Sequence, residues 1–377
     1  MKTRSVFIIL LLVVPLMLFA RNKQRPGNNI QDDIEIMETI LDKLFDKHEG
    51  SFRLISGGTS GFYLDGYGIL FKVPYSQSDR LYYVTPDKQA RKMFDDWIIS
   101  GQGQVISKRD QDADEKPAEF EKEMKEEITR VKDISARFLG DYVSALTYLE
   151  PSYWITVIVD FNDSPRAFSG FTPEKALRQV IGKVQKKNIA DYHKGKIDFD
   201  KLKDRIQFVS KYENDSEMDG DIDIFSDIMN SYIEKGNEKN ELHVIDAVKG
   251  FYLDGYGAIF IMKVNLQPNF INIITSGSRN NQFSVQAYSS FGDTIDFDEK
   301  LDILRDRITS LYARFGHTLR KLQPKEWLEV AVSLNTIHPD NDYSKVIYKI
   351  QKKDIDRLSS QKIGINEFKR LVNIARY

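Results

Sequence analysis

The octapeptide Gly-Phe-Tyr-Leu-Asp-Gly-Tyr-Gly occurs twice in this chain, at residues 61–68 and again at 250–257. An identical run of this length predicts a tandem duplication, and it marks the segment that the two copies have kept most alike. Shorter matches follow in the same order on both sides of it, pairing 33–37 with 221–225, 136–138 with 313–315, 149–154 with 322–327, and 184–187 with 350–353. The spacing between matches drifts, which is typical of two diverged domains and not of a solenoid with a fixed period.

Both copies predict the same order of elements. An amphipathic helix comes first, at about residues 34–47 and 222–235, and a hairpin with a two-residue Asp-Gly turn then covers each octapeptide. A single strand broken by a glycine bulge is the alternative to the hairpin. Further strands are predicted at 81–84 and 270–274, followed by a long helix, a strand from Trp154 or Trp327, one more strand, and closing helices that finish at 200–209 and 366–375. This order predicts an α+β fold of two tandem homologous domains, each an antiparallel sheet with helices packed on one face.

The predicted organisation is a signal peptide at 1–20, a linker at 21–30, a first repeat at 31–213, an acidic linker at 214–219 and a second repeat at 220–377. Lys2 and Arg4 precede an unbroken apolar run from Val6 to Ala20, which is the pattern of an export signal. That run is 15 residues long, shorter than the roughly 20 that a membrane-spanning helix needs. We therefore expect an exported protein, periplasmic or secreted, with a membrane-anchored form as the alternative if the segment is not cleaved.

Composition excludes several kinds of chemistry. The chain has no cysteine, so disulfides, thiolate metal sites and a cysteine nucleophile are excluded. Its net charge is −2 and it has no basic stripe, so no nucleic-acid partner is expected. The five histidines do not occupy matching positions in the two copies, and no triad, zinc or dinucleotide motif is present. We predict no cofactor, and the sequence favours a protein that is not an enzyme.

The repeated turn is the strongest candidate site. A glycine-rich tip that exposes a carboxylate and aromatic rings would bind a sugar or a peptide, with an arginine from each long helix paired to the carboxylate. The candidate binding residues are Tyr63, Asp65, Tyr67, Tyr252, Asp254, Tyr256, Arg137 and Arg314. The competing interpretation is structural, because Asp-Gly suits a tight turn, glycine allows close packing, and tyrosine also lines cores.

A weaker candidate is a calcium loop in the acidic linker. Carboxylates alternate there around a glycine at the sixth position, as in an EF-hand loop, but Ser226 stands where a bidentate glutamate is required. The residues concerned are Asp215, Glu217, Asp219, Asp221 and Asp223. A solvated linker that caps a helix is the alternative, and no other metal site is predicted.

Together these observations predict an exported, non-catalytic two-domain protein with a binding or envelope-associated structural role. Its partner would be a small ligand, a glycan or a protein outside the cytoplasm. The alternative is an extracytoplasmic hydrolase that uses carboxylates in or near the repeated turns. A third hypothesis is that one copy is a degenerate partner that stabilises the other. A functional role for the turns requires their aspartates and tyrosines to face solvent or each other.

Overall fold

The computed structural model of the protein describes residues 28–46, 52–54, 58–77, 116–161, 177–212, 216–235, 242–266, 272–277, 283–288, 297–335 and 343–377. The signal peptide predicted at 1–20, the strand predicted at 81–84 and most of the linker predicted at 21–30 lie outside these residues. Among the described residues, no helix combines the length and the apolar composition needed to cross a bilayer.

The first half of the chain, up to residue 212, contains four α-helices and six strands among its described residues. Their order is α1 (Asn28–Asp46), β1 (Phe52–Leu54), β2 (Ser60–Leu64), β3 (Gly68–Gln77), α2 (Lys116–Arg137), β4 (Trp154–Phe161), β5 (Leu177–Gln185), α3 (Lys186–His193), α4 (Phe199–Arg205) and β6 (Gln207–Tyr212). A short π-helical turn, Phe138–Tyr142, extends α2. The buried residues of α1 recur every three or four positions, as an amphipathic helix on a sheet requires.

The second half, from residue 216, repeats this order with an additional hairpin. Its elements are α5 (Glu217–Lys235), β7 (His243–Leu253), β8 (Gly257–Asn265), β9 (Asn272–Gly277), β10 (Phe283–Tyr288), α6 (Phe297–Phe315), β11 (Trp327–Asn335), β12 (Lys345–Gln351), α7 (Lys352–Ser359), α8 (Ile365–Leu371) and β13 (Asn373–Arg376). Strands β9 and β10 pair with each other as a separate antiparallel ribbon. Helix α5 begins inside the predicted acidic linker, as α1 begins inside the predicted linker at 21–30.

The described strands form two main sheets with the same topology. The first has the order β1-β3-β4-β5-β6 with β2 paired to β3, and the second has the order β7-β8-β11-β12-β13. The predicted α+β class with two sheets is confirmed, but each sheet also has one parallel pair, β3 with β4 and β8 with β11. Both parallel pairs are joined by a long connection that contains a helix, α2 or α6, which is the crossover that parallel neighbours need.

The predicted closing helices are too long. Helix α4 ends at Arg205 and α8 ends at Leu371, and the chain then forms the edge strands β6 and β13. Each edge strand pairs antiparallel with its neighbour, β5 or β12. The open edge of a sheet offers backbone hydrogen bonds that a local sequence pattern does not reveal, so tertiary pairing overrides the helical periodicity.

The sheets pack face to face, with helices on their outer faces. Successive side chains of a strand point to opposite faces of its sheet. In the first sheet, Ile69 and Phe71 pack in the core beneath α1 and α2. Leu70 and Ile158 face the other way and join Ile259 of the second sheet in a core shared by the two halves. The result is four layers, helix-sheet-sheet-helix, and we call the shared layer between the sheets the seam.

The first helix of each half also reaches the sheet of the other half. Glu38 on α1 forms an ion pair with Lys345 at the start of β12, with the Lys345 Nζ 2.6 Å from the carboxylate. From the other half, Asp223 on α5 forms a two-pronged ion pair with Arg178 on β5. These contacts add to the seam and tie the two halves together.

Candidate functional site at the junction of the repeated turns

Each octapeptide forms a hairpin, β2–β3 or β7–β8, as predicted, but the loop has three residues instead of two. Leu64 pairs with Gly68 across the first loop, and Leu253 pairs with Gly257 across the second. The tyrosine N–H at the end of each loop donates to the leucine carbonyl before it, at 3.0 Å in both halves. The central glycine has a φ of +83° in the first turn and +76° in the second, values that favour glycine.

The last glycine of the motif is required by a close approach of two backbones. A Cβ atom on Gly68 would lie 1.9 Å from the carbonyl oxygen of Trp154, and one on Gly257 would lie 2.0 Å from that of Trp327. Their φ angles are +137° and +145°. Only a residue without a side chain can therefore occupy the first position of β3 or β8, where each strand meets its parallel neighbour β4 or β11.

The two turns meet within the seam. The ring centroids of Tyr67 and Tyr256 are 5.0 Å apart, with their planes tilted by 50°. Both rings are buried, and with Phe62, Leu64 and their counterparts they belong to the shared core. The motif thus supplies one of the contacts between the halves, and the second tyrosine of each copy faces its counterpart.

The hydroxyls of this tyrosine pair have different partners. Tyr67 Oη lies 2.7 Å from Oγ1 of Thr156 on β4. Tyr256 Oη donates to Oε2 of Glu329 on β11 at 2.6 Å. Thr156 and Glu329 occupy corresponding positions, each two residues after the tryptophan that begins its strand. The junction is therefore matched in shape but differs in charge.

Glu329 is a carboxyl group enclosed in the seam. It is 0% exposed, and its second oxygen, Oε1, has no hydrogen-bond partner among the described residues. Burial raises the pKa of the Glu329 carboxyl to about 7, against the lowering effects of the Tyr256 hydroxyl and the Lys349 ammonium. Burial and the adjacent carboxylate also raise the pKa of Tyr256 well above its ordinary value. The site can hold a proton on Glu329 near neutral pH.

The aspartate at the tip of each turn is exposed. Lys349 of the second half donates to the backbone carbonyl of Asp65 at 3.2 Å and to its carboxylate at 3.4 Å. The same ammonium lies 4.8 Å from the centre of the Trp327 ring. At the corresponding place, Lys183 lies 5.0 Å from the centre of the Trp154 ring.

The outer tyrosines of the motif are half-buried. Tyr63 packs edge-on against Tyr377, the ring centroids being 5.8 Å apart, and it shares a hydrogen bond with Tyr153. Burial raises the pKa of Tyr63 above its ordinary value. Tyr252 donates instead to Oε1 of Glu326 at 2.7 Å. Burial raises the pKa of Tyr252 as well, with the Glu326 carboxylate as the next cause.

Four aromatic residues surround the first turn tip. They are all half-buried, come from both halves, and connect through the contacts above to Asp65 and Lys349. We call Tyr63, Tyr153, Trp327 and Tyr377, with Asp65 and Lys349, the aromatic patch. The corresponding positions at the second turn are Tyr252, Glu326, Trp154 and Lys211, with Asp254 and Lys183. Two aromatic positions of the patch are thus charged at the other turn.

The arginines singled out in the sequence lie elsewhere. Arg137 is exposed at the end of α2. Arg314, near the end of α6, lies over the rings of Tyr232 and Phe315, 5.5 Å and 5.2 Å from their centres. Both belong to the outer helical layers, so neither is brought to a turn, and the cation that contacts Asp65 is Lys349 of the other half.

The predicted calcium loop is helical from Glu217 onward, where α5 begins, so these residues do not have the loop geometry of an EF-hand. Asp215 lies outside the described residues. The other carboxylates pair with separate cations: Glu217 with Lys321, Asp219 with Lys211, Asp221 with Arg320, and Asp223 with Arg178. Within the described ranges, no group of three His, Asp or Glu side chains could hold a metal ion.

The sequence did not single out Glu329, Lys349, Tyr153 or Tyr377. Glu329 alternates with apolar residues along β11, a pattern that normally places a charged residue in solvent. Its burial follows from the first sheet, which packs over the face of β11 that a lone antiparallel sheet would leave exposed. The repeated octapeptide, which contains Asp65 and Tyr256, was the sequence feature that pointed to this site.

Comparison with known proteins adds little to these observations. No family model matches the sequence, and no curated protein matches it. Among solved structures, the chain is similar to one described as the crystal structure of sex pheromone staph-cAM373 precursor. The two are 8% identical over 90% of this chain and 82% of that chain, with a TM-score of 0.21. A likeness at that score carries no information about fold or function.

Proposed function

We propose that this chain is an exported, non-catalytic protein that arose by tandem duplication and binds a partner outside the cytoplasm through the aromatic patch. The partner is a glycan or an extended peptide, and an envelope-associated structural role is consistent with either. The observation that carries the proposal is the patch itself, in which half-buried rings from both halves surround one turn tip. Rings that are partly packed and partly exposed provide rigid contact area with polar edges.

The repeated motif supports a binding role more than a catalytic one. Its glycines, its Phe and Leu and its second tyrosine are all used to build the hairpins and the seam. What remains for solvent is the Asp-Gly tip and one face of Tyr63 or Tyr252. Asp65 is engaged by Lys349, and this pairing provides both a donor and an acceptor beside the rings. Such a mixture of rings and charged groups suits a sugar or a peptide backbone.

A binding titration tests this proposal. The purified chain would be titrated with soluble oligosaccharides and, separately, with unstructured peptides, using calorimetry as the readout. Trp327→Ala and Tyr377→Ala should each weaken binding about tenfold or more, since aromatic anchors dominate such contacts. The matched control is Trp154→Ala, at the corresponding position of the other turn, which should bind as the wild type does. Equal loss in all three variants, or no binding of either class of probe, would contradict the patch as the site.

Hydrolysis by carboxylates near the turns is the second candidate function. The pKa of about 7 for the Glu329 carboxyl favours it, since a general acid operates best near its pKa. Its complete burial beneath Tyr256 is the argument against it, because a catalytic group must reach its substrate. Incubation with the same oligosaccharides and peptides, followed by product analysis, separates the two. Cleavage that is lost in both Glu329→Gln and Asp65→Asn would favour the hydrolase.

Export is proposed from residues 1–20 alone. N-terminal sequencing of the protein recovered from expressing cells, together with fractionation, tests it. A mature chain that begins near residue 21 would support a cleaved signal, and an intact N-terminus in the membrane fraction would support the anchored form.

A further inference from the structure

The most unusual buried group in the seam is Glu329. The corresponding residue of the first half is Thr156, a neutral side chain that satisfies the Tyr67 hydroxyl without adding charge. Glu329 accepts one hydrogen bond from Tyr256, and Oε1 has no partner within the described residues. An ionised carboxylate enclosed in this way loses its hydration and receives only part of the compensation it needs.

The groups that face Glu329 do not supply the missing compensation. Tyr256 and Tyr377 face it from the second turn and the end of β13, and Tyr312 acts on it from α6. Lys349, on the neighbouring strand β12, is the one cation acting on it among the described residues. That lysine is shared, because it also contacts Asp65, whose carboxylate opposes ionisation of Glu329. Every other group in this set is neutral or acidic.

We propose that Glu329 is a proton-operated lock of the seam: protonated, it allows the two sheets to pack tightly around the Tyr67–Tyr256 contact, and ionised, it loosens that contact. The lock lies in the junction where the turns of both halves meet. Release of the proton places a negative charge in a core built mainly of apolar side chains from both sheets, and the cost is reduced if the sheets separate enough to admit water. Glu329 acts on the seam in this way whatever the aromatic patch binds.

The tryptophans provide a direct report on the seam. Of the three in the chain, Trp154 and Trp327 border the shared core and Trp97 does not belong to the described residues. A Trp97→Phe background would leave the two seam tryptophans as the fluorescent probes. Their emission and the melting temperature would be measured from pH 5 to 9 for this background, and for the same chain carrying Glu329→Gln.

The background protein should show a transition near pH 7, with emission shifting to longer wavelength and the melting temperature falling as the pH rises. Glu329→Gln keeps the shape and removes the charge, so its transition should disappear. Glu326→Gln is the matched control, because Glu326 is also buried and also accepts from a tyrosine hydroxyl, yet lies outside the Tyr67–Tyr256 contact. It should retain the transition.

If Glu329→Gln failed to fold, Glu329→Thr would replace it, since threonine at the corresponding position of the first half is accommodated beside Tyr67. A transition near pH 7 that persisted unchanged in the Gln or Thr variant would overturn the proposal. So would its loss in Glu326→Gln together with Glu329→Gln, because the effect would then not be specific to the seam. The protection factors of the β11 amides, which correct for the intrinsic rise of exchange with pH, should fall above pH 7 only when Glu329 is present, and this would confirm the location.

Discussion

The two halves contact each other through matching tyrosines, but the side chains that bind the two tyrosine hydroxyls are different. Tyr67 and Tyr256 meet across the seam, yet one hydroxyl contacts a threonine and the other a fully buried glutamate. The turns around them share their glycine conformations, including the glycine that lets each β-strand approach its parallel neighbour. The glycines and tyrosines that both halves share are required by the fold, whereas the buried carboxyl of Glu329 is found in the second half alone.

The outer surface shows a second difference between the halves. Around the Asp65 tip the corresponding positions carry Tyr153 and Tyr377, whereas around the Asp254 tip they carry Glu326 and Lys211. Both charged residues are engaged, Glu326 by Tyr252 and Lys211 by Asp219. The Asp65 tip therefore has four half-buried aromatic residues nearby, whereas two of the corresponding positions at the Asp254 tip carry charged residues that pair with their neighbours. Binding, if the proposal is right, is a property of one side of the molecule.

The largest loss of stability is expected from substitutions at the last glycine of the repeated motif, which both halves share. Gly68→Ala and Gly257→Ala would each place a methyl group about 2 Å from a carbonyl oxygen of the adjacent strand, at a φ that L-residues rarely adopt. Each should lower the free energy of unfolding by about 4 kcal/mol or more, or prevent folding. Urea denaturation followed by circular dichroism measures this.

The control for that prediction is the neighbouring glycine. Gly66→Ala and Gly255→Ala change residues that also have positive φ but have no atom within 4 Å of the new methyl group. They should cost about 1–2 kcal/mol, the strain of the left-handed conformation alone. If the two pairs of variants cost the same, the close backbone approach is not what fixes glycine in the motif.

A smaller effect, about 3 kcal/mol, is expected from the charge that distinguishes the halves. The carboxyl of Glu329 has its pKa raised from 4.5 to about 7 on folding. It therefore contributes stability that is fully present below pH 4.5 and is lost as the pH rises through 7. At 1.36 kcal/mol for each pKa unit, the free energy of unfolding of the wild type relative to Glu329→Gln should fall by about 3 kcal/mol between pH 4.5 and 8.

Denaturation of both proteins at several pH values measures that difference, and the subtraction removes the other titrating groups. A difference that did not change with pH would mean that Glu329 titrates alike in the folded and unfolded chains. A difference that rose with pH would mean that Lys349 outweighs burial and holds the carboxylate ionised in the seam.

The next prediction compares the contributions of the Tyr256 and Tyr67 hydroxyls to stability. Tyr256→Phe would leave a buried carboxyl without its donor and should cost about 2 kcal/mol at pH 8, since an unsatisfied buried acceptor carries a full desolvation penalty. Tyr67→Phe removes a hydrogen bond between two neutral hydroxyls and should cost about 1 kcal/mol, the net contribution of a typical hydrogen bond. Thermal unfolding at pH 8 ranks the two variants. The reverse order would show that the threonine side of the seam is the more tightly constrained.

The sequence predicted the parts of this fold that depend on local pattern. The first helices, the hairpins over the octapeptides and the strands from Trp154 and Trp327 were predicted close to their observed positions. It could not predict β6 and β13, since their pairing depends on the open edges of distant strands. Nor could it show that the two sheets cover each other, because apolar alternation looks the same whether the second face meets water or another sheet.

The sequence pointed to the repeated turns but not to the buried carboxyl or the lysine beside them. The repeated motif drew attention to the turns, and Tyr67 and Tyr256 face each other in the structure. Glu329 and Lys349 come from strands far along the chain, and only the packing of the halves brings them to Asp65. Alignment of the two halves does single out one relevant difference. Thr156 and Glu329 are at corresponding positions in similar strands, and they differ in charge.

The smallest effect concerns the exposed turn tips and bears on whether they are functional. Asp65→Asn weakens a contact to Lys349 in which the carboxylate is 69% exposed, so its cost should be below about 1 kcal/mol, as for other surface pairs. Asp254→Asn, at the exposed tip of the other turn, should change stability by even less. Both variants should therefore fold normally, which makes them clean probes of binding. If the aromatic patch is the binding surface, Asp65→Asn weakens binding of the oligosaccharide or peptide probe and Asp254→Asn does not. Equal weakening by both would mean that the two turns act together, and the difference between the aromatic and the charged side would then have no bearing on binding.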